Sequence, residues 1–384
     1  MESSIEADIR HIDCTRTTYL GRPDDVAQHP GGDDQVSPSR RGQADERPIW
    51  TLLAGRRRLL VGGAALTAGA VALSLVVTGS AMRVMLPHPR RGLGTSAATL
   101  APTESTISTT TTSPVSPPFP VDDQTLTFVD SSRATPARGD VPGHPGRVLV
   151  TDIFRPRGPT GPLPLVVFAH GWNSDPGVYR PLLDAWAEAG YLVAAPVLPD
   201  SSDTLPGSPV SNYPAQAQDL SFLITQLLHG GAGPVDPDRI AVAGHSDGGT
   251  DIALLALNPA YADPRIRAYL SLSGEIPAGV NGPWGVSTPG ALLVVVGSAD
   301  QYGLAPLSAQ VFETAHMTKA MITVAGGDHL DPYVAATPTA VALRAETVRF
   351  LGSALSPGPE TPTRLAAALE PAGDPSIDVT VPSG

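Results

Sequence analysis

Ser246 stands in a G-x-S-x-G pattern, Gly244-His245-Ser246-Asp247-Gly248, that directly follows an apolar run typical of a strand and precedes a predicted helix. A strand that turns this sharply into a helix leaves no room for side chains at the flanking positions, and Gly244 and Gly248 have none. The pattern predicts a serine hydroxyl presented at the end of a strand, above the partial positive charge of a helix N-terminus. Such a hydroxyl can attack a carbonyl carbon.

A serine hydroxyl is a weak nucleophile near neutral pH, so Ser246 requires a base that accepts its proton. Among nine histidines, His329 lies in a loop after a late predicted strand, where a parallel sheet would bring it above the serine. A carboxylate must then orient the imidazole, and Asp300 also follows a predicted strand. Asp328 and Asp331 are alternatives, although neighbours in sequence usually point away from the ring. We therefore predict Ser246, Asp300 and His329 as the catalytic residues.

The oxyanion formed by such an attack requires two N–H donors. The backbone N–H of Asp247, directly after the serine, is the first candidate. The second is the backbone N–H of Trp172, because the adjacent Gly171 permits a sharp turn after another apolar strand. Simple packing is the alternative for the Trp172 ring. We expect His170 to be a structural hydrogen-bonding residue rather than a second base.

The elements that must position these residues are predicted from apolar runs of alternating length. Short apolar runs predict buried strands, and longer amphipathic runs predict helices. Their repeated alternation predicts an α/β fold with a mainly parallel sheet, helices on both faces, and sites at the carboxyl ends of the strands. The predicted strands are 147–154, 165–169, 191–195, 239–243, 268–272, 291–296 and 320–324, and the predicted helices are 179–189, 215–228, 246–257, 307–314 and 340–351.

Four short motifs, HGW, GHSDGG, GSAD and GGDH, resemble the α/β-hydrolase superfamily in the order Ser, Asp, His. The segment VDPDRIAVAGHSDGG and the short connection from strand 268–272 to Asp300 are similar to the dienelactone hydrolase, cutinase and polyester hydrolase branch. The resemblance implies an α/β-hydrolase fold and a serine carboxylester hydrolase without a large lid. Asp247 departs from that branch, which often carries an uncharged residue there. The lone Cys14 departs from secreted relatives that carry disulfides.

Composition excludes several other classes of function. The formal net charge of -12 disfavours nucleic acid as a partner, because phosphates would be repelled. A single cysteine excludes a disulfide within the chain and a thiolate zinc site built from this chain alone. The sequence contains neither an H-E-x-x-H motif nor a phosphate-binding glycine loop, so we expect no metal and no cofactor.

Residues 59–82 contain no charged side chain and are dominated by Leu, Val, Ala and Gly. A membrane-spanning helix needs about 20 apolar residues, so we predict a single N-terminal transmembrane helix that acts as a signal anchor. Six arginines in the 20 residues before it and three in the 20 after it place the N-terminus in the cytoplasm. Small residues at 79–81 and arginines at 56–58 leave a cleaved export signal open, and a buried soluble helix is a third possibility.

The flanking segments lack the apolar periodicity of a folded domain. We predict a disordered cytoplasmic tail over 1–58, a linker rich in Ser, Thr and Pro over 83–120, and a disordered Pro-rich tail over 354–384. The α/β-hydrolase catalytic domain is predicted to span 121–353.

The hypothesis that follows is a serine hydrolase that cleaves carboxylic esters outside the membrane. Its substrate would be a small-molecule, lipid or polymer ester, and it would be membrane-bound through residues 59–82, or secreted if that segment is cleaved. Two alternatives stay open. One is an amidase or peptidase with the same three residues, and the other is a non-catalytic cell-envelope module that keeps the fold.

Overall fold

The computed structural model describes residues 118–285, 288–358, 362–369 and 374–382. The predicted cytoplasmic tail, the predicted membrane span over 59–82 and the linker up to residue 117 lie outside the described residues. Within the described ranges, no helix combines the length and the apolarity that crossing a membrane requires.

The described strands form one sheet in the order β1-β2-β4-β3-β5-β6-β7-β8-β9. Neighbours from β4 and β3 through β8 run parallel, whereas β1 and β2 at one edge and β9 at the other pair antiparallel. The strands are β1 (Val121–Asp130), β2 (Arg147–Pro156), β3 (Leu163–Ala169), β4 (Leu192–Pro196), β5 (Val235–His245), β6 (Ile266–Leu272), β7 (Ala291–Gly297), β8 (Thr318–Val324) and β9 (Ile377–Thr380).

Helices cover both faces of this sheet, which is why the central strands are apolar on both sides. One apolar cluster contains residues of α2, α3 and α4, and the cluster on the other face contains residues of α1, α6 and α7. The helices are α1 (Arg180–Glu188), α2 (Tyr213–Leu228), α3 (Asp247–Leu257), α4 (Leu304–Thr314), α5 (Asp331–Val334), α6 (Pro338–Ala354) and α7 (Pro362–Ala368). The mainly parallel α/β sheet predicted from the sequence is confirmed, and the observed order is consistent with the α/β-hydrolase fold.

The C-terminal tail requires a correction. Sequence analysis predicts disorder over 354–384, but α7 and β9 lie within this range. Leu365 of α7 is fully buried against the apolar cluster, and β9 pairs with β8 from Ile377 to Thr380. The edge of β8 supplies backbone partners to a strand of only four residues, which is too short to stand out between prolines. Strand β1 was missed because most of its residues are polar and exposed.

Candidate active site

Ser246 occupies a strained turn between β5 and α3. Its backbone has φ 57° and ψ -118°, in the positive-φ region that a residue with a side chain rarely adopts. Its N–H donates to the carbonyl of Leu272 in β6 at 2.9 Å. A Cβ at Gly244 would collide with the backbone of Gly248, and one at Gly248 would collide with that of Ala169. The two glycines therefore permit the close approach of backbones that the turn needs.

His329 and Asp300 lie within hydrogen-bonding distance of each other. The Nδ1 of His329 is 2.7 Å from Oδ2 of Asp300, whose side chain is fully buried. Because the carboxylate can only accept, Nδ1 carries the proton, and the lone pair of Nε2 is left to act as a base. The neighbouring carboxylate of Asp328 instead accepts the backbone N–H groups of Leu330 and Asp331 at 3.0 and 2.8 Å.

His245 joins the turn at the serine to the loop that carries His329. Its Nε2 lies 2.7 Å from the carbonyl oxygen of His329, and its Nδ1 lies 2.8 Å from the hydroxyl of Tyr179. Since the carbonyl can only accept, Nε2–H donates to it and the tyrosine O–H donates to Nδ1. The rings of His245 and His329 are 4.5 Å apart between centroids. The residue directly before Ser246 thus contacts the candidate base.

Burial keeps His245 neutral. Loss of hydration lowers its pKa to about 3, and the nearby His329 adds to the effect. Sequence reasoning missed this residue and its partner Tyr179. The sole available signal was the position of His245 beside the serine, because its partners lie far away along the chain.

The loop after β3 closely approaches the serine. A Cβ at Gly171 would lie 3.1 Å from Cβ of Ser246 and 3.2 Å from the hydroxyl oxygen of Tyr179. The side chain of Trp172 is partly buried, and its indole N–H donates to the carbonyl of Pro209 at 3.2 Å. The loop that carries one predicted oxyanion donor therefore lies directly beside Ser246.

Asp247, the other predicted donor, is the first residue of α3, where backbone N–H groups have no partner within the helix. Its carboxylate accepts hydrogen bonds from the hydroxyl of Ser211 and, at 3.2 Å, from that of Tyr213. Burial raises the pKa of Asp247, while these two hydrogen bonds act in the opposite direction. Two neutral donors thus hold a carboxylate next to the candidate nucleophile.

His170 makes hydrogen bonds at both ring nitrogens, as expected for a structural residue. The backbone N–H of Leu198 donates to Nε2 at 3.0 Å, so the proton lies on Nδ1, which is 2.8 Å from the carbonyl oxygen of Gly171. Complete burial lowers the pKa of His170 to about 4. The neutral ring links the loop after β3 to the segment after β4.

This burial predicts a pH-dependent stability difference between the wild type and His170→Leu. Because the folded-state pKa of His170 lies below the unfolded value of about 6.5, acid protonates the unfolded chain first. The contribution of His170 to the free energy of unfolding is complete above about pH 6.5. It falls by about 3 kcal/mol as the pH drops toward 4. Urea unfolding of both proteins between pH 4 and 8 measures the difference, and a pH-independent difference would contradict the buried neutral ring.

Comparison with known families adds a second line of observation. A family model described as Chlorophyllase matches residues 137–278. The matched range contains the loop with Gly171 and Trp172 and the turn with Ser246, and it ends before Asp300 and His329. No curated protein sequence matches the chain significantly. The match is to a type of α/β fold found in hydrolases that act on esters.

Proposed function

We propose that the chain is a serine hydrolase of the α/β-hydrolase superfamily and that it cleaves carboxylic esters with Ser246, His329 and Asp300. The observation that carries the proposal is the chain of contacts at the carboxyl ends of β5, β7 and β8. Asp300 pairs with the ring of His329, and the carbonyl of His329 accepts from His245, the neighbour of Ser246. The Chlorophyllase match over 137–278 supports an ester as the substrate.

The first half of the reaction transfers the acyl group to the enzyme. Oγ of Ser246 attacks the carbonyl carbon while its proton passes to Nε2 of His329. The electron pair of the carbonyl moves to oxygen, and the N–H groups of Trp172 and Asp247 stabilise the resulting oxyanion. Asp300 stabilises the imidazolium. When the oxyanion collapses, the ester C–O bond breaks and the imidazolium protonates the departing alcohol.

The second half releases the acid. His329 takes a proton from water, the hydroxide adds to the acyl carbon, and the collapse of the second oxyanion returns the proton to Oγ of Ser246. The products are one alcohol and one carboxylic acid for each water consumed. The exposed ring of Tyr302 contacts His329 edge-on, with centroids 4.7 Å apart.

The proposal is tested by adding p-nitrophenyl esters of two to eight acyl carbons to the full-length chain. We expect saturable release of nitrophenol that a fluorophosphonate blocks. Absence of turnover across the whole panel, together with absence of a fluorophosphonate adduct, would overturn the proposal.

The charge of the site predicts selection against anionic esters. The loops after β3, β4, β6, β7 and β8 contain neither Lys nor Arg, whereas Asp247 places a carboxylate beside the nucleophile. The quantity compared is the ratio of kcat/KM for an ester with a terminal carboxylate to kcat/KM for its neutral isostere. We expect Asp247→Asn to raise this ratio by roughly tenfold, because a repulsion on the order of 1 kcal/mol is removed. Paired kinetics at pH 8 measure this ratio. A ratio that the substitution leaves unchanged would show that the Asp247 charge does not reach the substrate.

We also propose that the catalytic domain acts outside the membrane. This rests on the apolar segment 59–82 and on the excess of arginines before it. Protease accessibility of the domain in intact cells tests it, and a domain that is protected until the membrane is opened would contradict it.

A further inference from the structure

The segment 197–212, here called the bracing segment, connects β4 to α2 and runs along the candidate active site. Three of its hydrogen bonds join it to Trp172, to Asn173 and to Asp247. The carbonyl of Ser201 accepts the N–H of Asn173 at 2.8 Å, and the carbonyl of Pro209 accepts the indole N–H of Trp172 at 3.2 Å. The hydroxyl of Ser211 donates to Asp247. The bracing segment thus contacts both residues whose backbone N–H groups are the proposed oxyanion donors.

The backbone beside Trp172 needs this support. Asn173 has φ 51°, a left-handed conformation that most residues with a side chain avoid and that asparagine adopts more readily than most. Such a conformation persists where neighbouring groups determine it, and the hydrogen bond from Asn173 to Ser201 is one of them. A parallel bridge between Ser174 and Ser202 continues the contact.

The bracing segment has little regular structure of its own. Apart from the bridge at Ser202, residues 197–212 form neither helix nor strand. Only two of its carbonyls accept backbone N–H groups from within the segment, so its other buried carbonyls require partners from elsewhere in the fold. A cavity of ≈ 180 Å³ also separates part of the segment from the connection between β1 and β2, and apolar side chains such as Val148, Val150 and Leu205 line it. The bracing segment packs incompletely against the sheet at this cavity, so hydrogen bonds contribute more to holding the segment in place.

Arg138, in the connection between β1 and β2, supplies those hydrogen bonds. The side chain is buried, and its guanidinium donates to four carbonyls of the bracing segment. The distances are 2.6 Å to Ser202, 3.3 Å to Pro199, and 3.4 Å to both Gly207 and Ser208. Gly207 has φ 89°, and a Cβ there would collide with the backbone of Arg138. The backbone of the bracing segment and that of the β1–β2 connection are therefore in direct contact.

We propose that Arg138 is a positioning residue for ester hydrolysis. It holds the bracing segment in place, and the bracing segment in turn holds Trp172 and Asp247. The inference rests on the proposed function. A guanidinium presents five donors in a rigid fork, so one side chain can hold several carbonyls in a fixed arrangement. Arg138 has no step of its own in the chemistry. Its effect is on the placement of donors, where errors of about 1 Å cost on the order of 100-fold in rate.

The test compares Arg138→Met with Arg138→Lys and with a control, Arg265→Met, all in the full-length chain. Arg265 is a partly buried arginine that also donates to a backbone carbonyl, that of Ser221, but it lies just before β6, at the amino ends of the parallel strands and away from the candidate site. We expect Arg138→Met to lower kcat for p-nitrophenyl butyrate by roughly 10- to 100-fold with KM changed less than about threefold. Arg138→Lys should be intermediate, because an ammonium retains three donors. Arg265→Met should keep kcat near the wild-type value.

Hydrogen exchange supplies a readout that does not depend on turnover. In Arg138→Met the amide of Asn173, which donates to Ser201, should exchange at least tenfold faster than in the wild type, and in Arg265→Met it should not. Unchanged exchange, or faster exchange with unchanged kcat, overturns the positioning role. If the wild type hydrolyses no ester, the proposed function fails, and the exchange data alone decide whether Arg138 holds the loop. Arg138→Lys provides the same comparison if Arg138→Met does not fold.

Discussion

Replacing Ser246 with alanine is expected to lower kcat for p-nitrophenyl butyrate by about 10⁵- to 10⁶-fold. The substitution removes the atom that forms the acyl-enzyme, and neither His329 nor the oxyanion donors can replace it. Alanine keeps a Cβ at φ 57°, so the turn retains its strain and the fold should be preserved. Initial rates with purified full-length protein, together with circular dichroism, measure both effects.

Ser273 provides a matched control for this substitution. It also lies at the end of a parallel strand and also has a left-handed backbone, with φ 49°, but its hydroxyl contacts that of Tyr333 at 2.9 Å. We expect Ser273→Ala to retain kcat within roughly tenfold, because it loses one buried hydrogen bond and no reacting atom. Similar losses in the two variants would mean that the damage is structural. Full turnover by Ser246→Ala would remove Ser246 from the mechanism.

Replacing Asp300 with asparagine is expected to lower kcat by about 10⁴-fold with little change in stability. The carboxylate accepts from Nδ1 of His329 and so holds the proton away from Nε2. An amide can donate to Nδ1 instead, which favours the tautomer whose Nε2 already carries a proton. That tautomer cannot accept the proton of Ser246. The loss should appear in kcat rather than in KM, because the ground state of the substrate does not contact Asp300.

Asp328→Asn and Asp331→Asn are the controls, because both carboxylates are close to His329 in sequence. Oδ1 of Asp328 accepts two backbone N–H groups, and an asparagine can keep that acceptor. Asp331 is exposed at the start of α5. Both variants should retain kcat within a few-fold. A large loss in Asp328→Asn combined with a small loss in Asp300→Asn would reassign the orienting carboxylate.

Much of the fold was predictable because the central strands carry their own signal. The strands β3 and β7 and the second half of β5 are buried and mainly apolar on both faces, and such runs stand out between glycines and amphipathic helices. The position of Ser246 followed from local sterics, since two glycines flank a strand-to-helix turn. Asp300 and His329 were predicted as candidates because they follow strands, and the carboxyl ends of parallel strands meet at one edge.

The remaining features depend on contacts that a linear pattern does not contain. The hydrogen bonds of His245 to His329 and to Tyr179 join positions far apart in the chain. Strand β9 forms because the edge of β8 is available, and a run of four residues is too short to predict a strand even though three of them favour one. The direction of the Asp247 carboxylate is likewise set by two distant hydroxyl groups, that of Ser211 in the bracing segment and that of Tyr213 at the start of α2.

The most direct test of the account is to identify the residue that a fluorophosphonate modifies, and to measure the rate of that reaction in the wild type and in His329→Ala. Peptide mapping by mass spectrometry is expected to find one adduct per chain, on Oγ of Ser246. Its rate of formation should fall by at least 1000-fold in His329→Ala, because the base that activates the hydroxyl is gone. An adduct on another residue, or equal rates in the two proteins, would contradict a nucleophilic Ser246 activated by His329.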